Sequence, residues 1–282
     1  MERIISRIGY KDGERFAYFL ASDLHIDEPG FDEALFKKEF DAARAENARI
    51  YLNGDILGLI LPGDMKRYTP SSDQYHEIDG KINKAIEHAE ALLKPYVDLI
   101  DMIGCGNHET AVLKHHSVDA TKLLIGFLNR SRNPKLSPIR HGGYTGFIRL
   151  IFEGVGRGHV QNYDIYYNHG QGTGGDVTDG LIGLKRREYI SSDLIWMGHV
   201  HRKWSGIVGE EQGLDRMGNF YSREQRGVIT GTYLRNLQET DASTKGYRLS
   251  FAEERMRRPQ AQGGAMLRLT ARRDGISAKV ET

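Results

Sequence analysis

The chain has 282 residues, 27% charged and 39% hydrophobic, with a formal net charge of +1, enough for one large α/β domain with a substantial core. Its near-neutral balance excludes the global basic field of a dedicated nucleic-acid binder, so a nuclease must rely on a local patch. A single cysteine excludes an intrachain disulfide, and no apolar run reaches the length of a signal peptide or membrane span, so a soluble, cytoplasmic protein with no membrane partner is expected.

Arg15 to Ser22 is aromatic and aliphatic and reads as a buried strand ending on Asp23-Leu24-His25. Side chains two apart on a strand share a face, so Asp23 and His25 can grip one ion together. Pro29-Gly30 introduces a helix over Phe31 to Ala48, with Leu35, Phe36, Phe40 and Ala43 on one face. A second strand, Arg49 to Asp55, ends in Gly54-Asp55. Pro62 to Asp73 reads as a rim loop, and Gln74 to Val97 as a helix ended or kinked by Pro95. Leu99 to His108 reads as a third strand running into Gly106-Asn107-His108-Glu109, followed by a helix over Thr110 to Asn129. Helices and strands thus alternate in the βαβ rhythm of parallel pairing.

From Tyr144 the texture changes to hairpins. Gly146 to Glu153 and Tyr163 to Asn168 read as strands, the second leading to His169-Gly170. Leu194 to Met197 leads to Gly198-His199-Val200-His201, where the same parity pairs His199 with His201. Gly227 to Leu234 and Ala265 to Thr270 are further strands. Residues 1–282 are read as a single domain, in which 205–282 complete a second sheet and add a small terminal extension.

Imidazole, carboxylate and amide oxygen without thiolate suit manganese, iron, zinc, cobalt or nickel. Two such ions about 3.5–4 Å apart clamp the attacking and leaving oxygens of an in-line displacement, which points to hydrolysis of a phosphate ester. Asp55 is the natural bridge, and His108, beside Asn107, is placed to protonate the departing oxygen.

Other readings compete around these motifs. His141 and His159 lie upstream of His169, and only His169 ends an apolar strand pattern. His115 and His116 read as solvated or satisfied core histidines rather than site residues, and Cys105, between two glycines, as a small buried residue. Gly170 to Asp176 lacks the Gly-Lys-Ser/Thr ending of a phosphate loop and reads as a rim loop. Arg202 and Lys203 either meet substrate phosphate or are solvated. Glu109 either orients a ligand or answers the helix dipole. After Trp204 there are 13 Lys/Arg against 10 Asp/Glu, with the densest runs at Arg255 to Arg258 and Arg272-Arg273; such runs usually form a solvated face.

In order and type, the motifs from Asp23 to His201 resemble the calcineurin-like metallophosphoesterase superfamily. The resemblance implies a four-layer α-β-β-α sandwich of two mixed sheets and two divalent metal ions, manganese first among the candidates. It assigns Asp23, His25, Asp55 and His201 to one ion and Asp55, Asn107, His169 and His199 to the other. His108 resembles the family's acid histidine, with a metal-bridging hydroxide as nucleophile. The Ser/Thr protein phosphatases of the superfamily continue the second motif as Gly-Asp-x-x-Asp-Arg-Gly, whereas this chain reads Gly54-Asp55-Ile56-Leu57-Gly58-Leu59-Ile60, without the arginine. That departure favours phosphodiesterases, including Mre11/SbcD-like nucleases, and the tail from Ser250 to Gly264 looks like phage-encoded members. The expected activity is a phosphodiesterase or nuclease acting on a phosphate ester, DNA among them. A phosphomonoesterase for nucleotides or phosphoproteins and a non-catalytic metal-binding scaffold are the alternatives.

Overall fold

The computed structural model describes residues 1–62, 68, 80–156, 158–172, 180–214, 217–235 and 261–282. Strand alternation organises the first sheet. β1 (Glu2–Tyr10) is followed by β2 (Glu14–Ala21), in which Tyr18 and Leu20 point to one side and Phe19 and Ala21 to the other, all four buried. A strand buried on both faces needs a layer on each side. In β3 (Arg49–Leu52), Ile50 and Leu52 share one side and Tyr51 takes the other. β4 (Ile100–Ile103) and β5 (Arg140–His141) continue the parallel run from β2.

One face of that sheet is covered by α1 (Glu33–Ala45), α2 (Lys81–Leu93), α3 (Asn107–His116) and α4 (Ala120–Ser131). They bury Phe36, Phe40, Ile86, Leu93, Leu124 and Leu128 against Phe19, Ile50, Leu52 and Ile103. The other face packs on a second sheet formed by β1, β6 (Thr145–Gly154), β7 (Val160–Asn168), β8 (Leu194–Met197), β9 (Trp204–Leu214) and β10 (Phe220–Ile229), in the order β1-β6-β7-β8-β10-β9. Between the sheets, Tyr18, Leu20, Tyr51 and Met102 meet Ile148, Leu150, Ile165 and Trp196. On the outer face of the second sheet, α5 (Leu181–Lys185) sets Leu184 against Tyr166, Ile195, Met197 and Ile229. The result is the expected α-β-β-α sandwich of two mixed six-stranded sheets, with α5 the only helix of its outer layer among the described residues.

Several expected boundaries move, each for a local reason. α1 starts after Asp32, whose side chain accepts from Leu35 N at 3.0 Å. The second helix is α-helical from Lys81 and tightens to a 3₁₀ turn over Lys94–Tyr96, where Pro95 has no N–H to give. Residues 74–79 of that expected helix, and the rim loop apart from Pro62 and Tyr68, lie outside the described residues. The helix expected over 110–129 is two helices, parted at Ser117 in a left-handed conformation (φ 56°), with Asp119 capping the second through Lys122 N. Because α3 begins at Asn107, Asn107 and His108 occupy a first helical turn rather than a strand end.

The segment 205–282 divides between the sheets. β9 and β10 complete the second sheet, whereas β11 (Ala265–Arg272) pairs antiparallel with β2 and carries β12 (Gly275–Glu281) to the edge of the first. Among the described residues no helix is long and apolar enough to cross a membrane.

Candidate metal centre

The carboxyl ends of β2, β3 and β4 from one sheet and of β7 and β8 from the other open on a common edge, and the ligand candidates follow those ends. In open α/β sheets this edge is where sites assemble. The glycines of the motifs let the segments approach. A Cβ on Gly54 (φ 78°) would stand 2.5 Å from Gly106 N, and one on Gly106 would stand 2.1 Å from Asp55 Oδ1. Gly106→Ala is therefore expected to displace Asp55, weaken metal binding at least tenfold and cost about 1–3 kcal/mol in stability, as read by metal titration and thermal unfolding.

Strand parity does not bring the paired ligands together. Asp23 (φ 54°), His25 (φ 50°), Asp55 (φ 49°), His199 (φ 69°) and His201 (φ 52°) all lie past the strand ends in the left-handed region, and they make up five of the eight such non-glycine residues described. Asp and His tolerate this region better than most residues, and backbone held there persists only where its surroundings fix it. Here Asp23 N donates to Gly54 O, His25 N to Asp55 O, and Tyr233 N to Asp23 O, at 3.0, 3.1 and 3.0 Å.

The side chains converge in three groups, each with one donor atom per residue within 4.8 Å of the others: Asp23 with His25 and His201, Asp55 with His169 and His199, and His25 with Asp55 and His108. His25 Nε2 lies 3.3 Å from His201 Nε2, and His201 Nε2 lies 3.4 Å from Asp23 Oδ1. His169 Nε2 lies 3.0 Å from Asp55 Oδ2 and 3.3 Å from Asn107 Oδ1. All seven ligand candidates are thus brought to one place. His115 and His116 are exposed at the end of α3, and His159 is exposed on the turn before β7.

The hydrogen bonds show what this donor set requires. His169 Nδ1 donates to Asn53 O at 2.7 Å, so the neutral ring presents the Nε2 lone pair to a carboxylate and an amide oxygen. His25 Nδ1 lies 2.7 Å from Glu28 Oε1 as an ion-pair contact, and its Nε2 faces His201 Nε2. Acceptors facing acceptors need a proton or a cation between them, and buried N and O donors of this kind fit a borderline divalent ion.

The electrostatics agree. Burial pushes the Asp55 carboxyl up, yet His169, His108 and His25 outweigh it and hold the group well below the usual carboxylate range. Burial lowers His25 and His169, but Glu28 and Asp55 beside the first and Asp55 and Asp23 beside the second raise them to about 10 and about 9. A field that holds protons on buried imidazoles equally favours a divalent cation in their place. His199 is lowered by burial and by neighbouring His169.

His108 is held in the same manner as His169 but stands farther from Asp55 Oδ2. Its Nδ1 donates to the Gly58 carbonyl, leaving Nε2 on the side of Asp55, 4.0 Å from Oδ2. Asp55 Oδ1 accepts from His108 N at 3.0 Å, so the bridge candidate and the acid candidate are held to each other.

The supporting groups were only partly legible. Glu109 is buried and accepts from Gly106, Asp55, Ile56 and Leu57 amides at 2.8, 3.1, 2.7 and 3.1 Å, so it fixes the Asp55 loop to α3. Burial and then Asp55 push its carboxyl up to about 7. Ser22, Asp27, Glu28 and Thr230 were not anticipated. Ser22 Oγ donates to Asp23 Oδ2 and lies 2.6 Å from Thr230 Oγ1, while His199 N donates to the same carboxylate. The acidic pair directly after His25 was the one signal for Asp27 and Glu28 in the sequence.

Of the remaining candidates, Cys105 is half-buried and burial pushes its thiol up to about 12, which suits a packing residue and not a nucleophile. Lys203 Nζ reaches Gln262 O at 3.2 Å and lies 3.9 Å from Glu39, and Arg202 is buried. Arg255 to Arg258 lie outside the described residues.

Two mixed sheets pack face to face as an α-β-β-α sandwich, with a carboxylate–imidazole cluster at their shared carboxyl edge. No family model and no curated protein matches the sequence. Solved structures similar to this chain include Vps29 of Entamoeba histolytica complexed with zinc, at 9% identity and TM-score 0.36, covering 94% of this chain and 98% of that one. A predicted phosphoesterase of Streptococcus pneumoniae aligns at 12% identity and TM-score 0.31, over 95% and 99% of the two chains. A metallophosphoesterase of Sphaerobacter thermophilus aligns at 12% identity and TM-score 0.36, over 95% and 89%. At such scores the case for function rests on the side chains.

Proposed function

We propose that this chain is a metal-dependent phosphoesterase with a preference for phosphodiesters, nucleic acid among them. The observation that carries the reading is the meeting of Asp55 Oδ2, Asn107 Oδ1 and the His169 Nε2 lone pair, beside a second group of Asp23, His25 and His201. Asp23, His25, Asp55 and His201 would hold one divalent ion, and Asp55, Asn107, His169 and His199 the other. Bound there, such ions supply Lewis acidity and lower the pKa of water.

The chain's own part is positional and acid–base. Asp55 ties β3 to the first turn of α3, so the ligands and His108 keep a fixed relation. His108 retains the Nδ1 proton on Gly58 and offers a proton from Nε2 to the departing oxygen. The diester preference is supported by position 59, where the phosphatase motif has arginine and this chain has a buried leucine. A monoester dianion gains most from a cation there, whereas a diester carries a single charge. The Glu28 carboxylate next to His25 adds to the repulsion of a dianion.

With manganese-reconstituted protein, kcat/KM for bis(p-nitrophenyl) phosphate is expected to exceed that for p-nitrophenyl phosphate. A reversed ratio would replace the diester reading by a monoesterase acting through the same centre. Stoichiometric metal with no turnover on either would return the protein to the scaffold alternative.

A further inference from the structure

Five consecutive backbone amides, those of residues 55 to 59, end on two buried carboxylates. Glu109 takes the first three, and Asp27, 8% exposed, takes Gly58 N at 2.5 Å through Oδ1 and Leu59 N at 2.8 Å through Oδ2. Successive amides gathered on one anion form a nest, and a buried carboxylate is tolerated when donors satisfy it. Losing either side would leave the other unpaired, so the loop and its carboxylates hold one another.

The Gly58–Leu59 peptide unit is bonded at both ends. Its N–H, on Leu59, donates to Asp27, and its carbonyl, on Gly58, accepts from His108 Nδ1. Hydrogen bonds in such a chain polarise one another, so the Asp27 charge strengthens the carbonyl as an acceptor for the imidazole. A Cβ at position 58 would stand 2.3 Å from Glu28 Oε1, so any residue but glycine there has to displace the Glu28 side chain. Leu59 meanwhile sits at φ 45°, an unfavourable conformation for leucine that its bond to Asp27 helps to hold.

We propose that Asp27 is a positioning residue for His108, acting through the Gly58–Leu59 peptide to keep the proton on Nδ1 and so reserve Nε2 for the departing oxygen. This rests on the reading of His108 as the acid. When the Nε2 proton leaves, the Nδ1–H tautomer that remains is the one the peptide already accepts.

The test compares wild type with Asp27→Ala and Asp27→Asn in the full chain. Long-range proton–nitrogen NMR of histidine-labelled, zinc-loaded protein, with His108→Ala for assignment, should show the Nδ1–H tautomer at His108 in the wild type. In Asp27→Ala the population should move toward Nε2–H. With manganese, Asp27→Ala should lower kcat about ten- to a hundredfold on diphenyl phosphate, part of the roughly 10²–10⁴-fold that a positioned acid supplies. On bis(p-nitrophenyl) phosphate, whose leaving group needs no proton, the loss should be much smaller, with metal stoichiometry unchanged. An unmoved tautomer, or equal losses on the two esters, would overturn the proposal. If Asp27→Ala does not fold, Asp27→Asn, which keeps an acceptor oxygen for one amide, decides by the same readouts with a smaller shift. If the wild type cleaves no ester, the functional reading fails, and the tautomer comparison still decides whether Asp27 positions His108.

Discussion

Asp55→Ala is expected to abolish ester hydrolysis and to lower metal binding by more than the roughly 10–100-fold that follows loss of a group which only orients a ligand. Asp55 is 1% exposed and belongs to two of the three donor groups. Its Oδ2 faces His169, and its Oδ1 accepts from the backbone of His108, so both parts of the site depend on it. Removing the carboxylate also leaves the His108 amide without that partner at the start of α3. Metal content measured on the purified variant, together with turnover on bis(p-nitrophenyl) phosphate, checks the expectation. Two ions retained at wild-type affinity would show that Asp55 is not shared between them.

His108→Ala should separate chemistry from metal binding. Metal stoichiometry is expected to stay at the wild-type value while turnover on diphenyl phosphate falls roughly 10²–10⁴-fold, with a smaller loss on bis(p-nitrophenyl) phosphate. The reason is the position of the ring: Nε2 is 4.0 Å from Asp55 Oδ2, longer than the 3.0 Å between His169 Nε2 and the same oxygen. His108 nevertheless falls in one donor group with His25 and Asp55. Loss of metal along with activity would place it among the ligands and leave the acid role to another group.

How far the sequence could be read depended on whether the determining contact was local. Arg15 to Ala21 and Leu194 to Met197 were legible as strands because their apolar residues announce burial on both faces, and the order of the five motifs pointed to the side chains that the fold gathers. The turns that aim those ligands were not legible. Asp23 and His25 owe their left-handed backbone in part to bonds with Gly54, Asp55 and Tyr233, none of them near in sequence. Parity along a strand therefore named Asp23 with His25 without the turn geometry that brings them together, and the other pair it named, His199 and His201, falls in two different donor groups. β1 pairs with β6 some 140 residues away, and its mixed, largely exposed sequence gave no sign of that partner. Residues 265–270 looked like any hydrophobic strand, and nothing in them says that they belong beside β2. Glu109 could be recognised as a helix-start residue bonded to Gly106, but its other three amide partners, those of Asp55, Ile56 and Leu57, come from a loop that only the fold brings to it.

The position of β11 sets an order of events. All seven ligand candidates are present once His201 has been synthesised, yet β2 gains its second neighbour only from Ala265–Arg272, and the Asp23 carbonyl waits for Thr232 and Tyr233. A nascent chain that ends between these points carries the imidazoles and carboxylates without the frame that aims them. The frame around the cluster is thus complete only when β11 has docked beside β2 and Thr232 and Tyr233 have reached the Asp23 carbonyl.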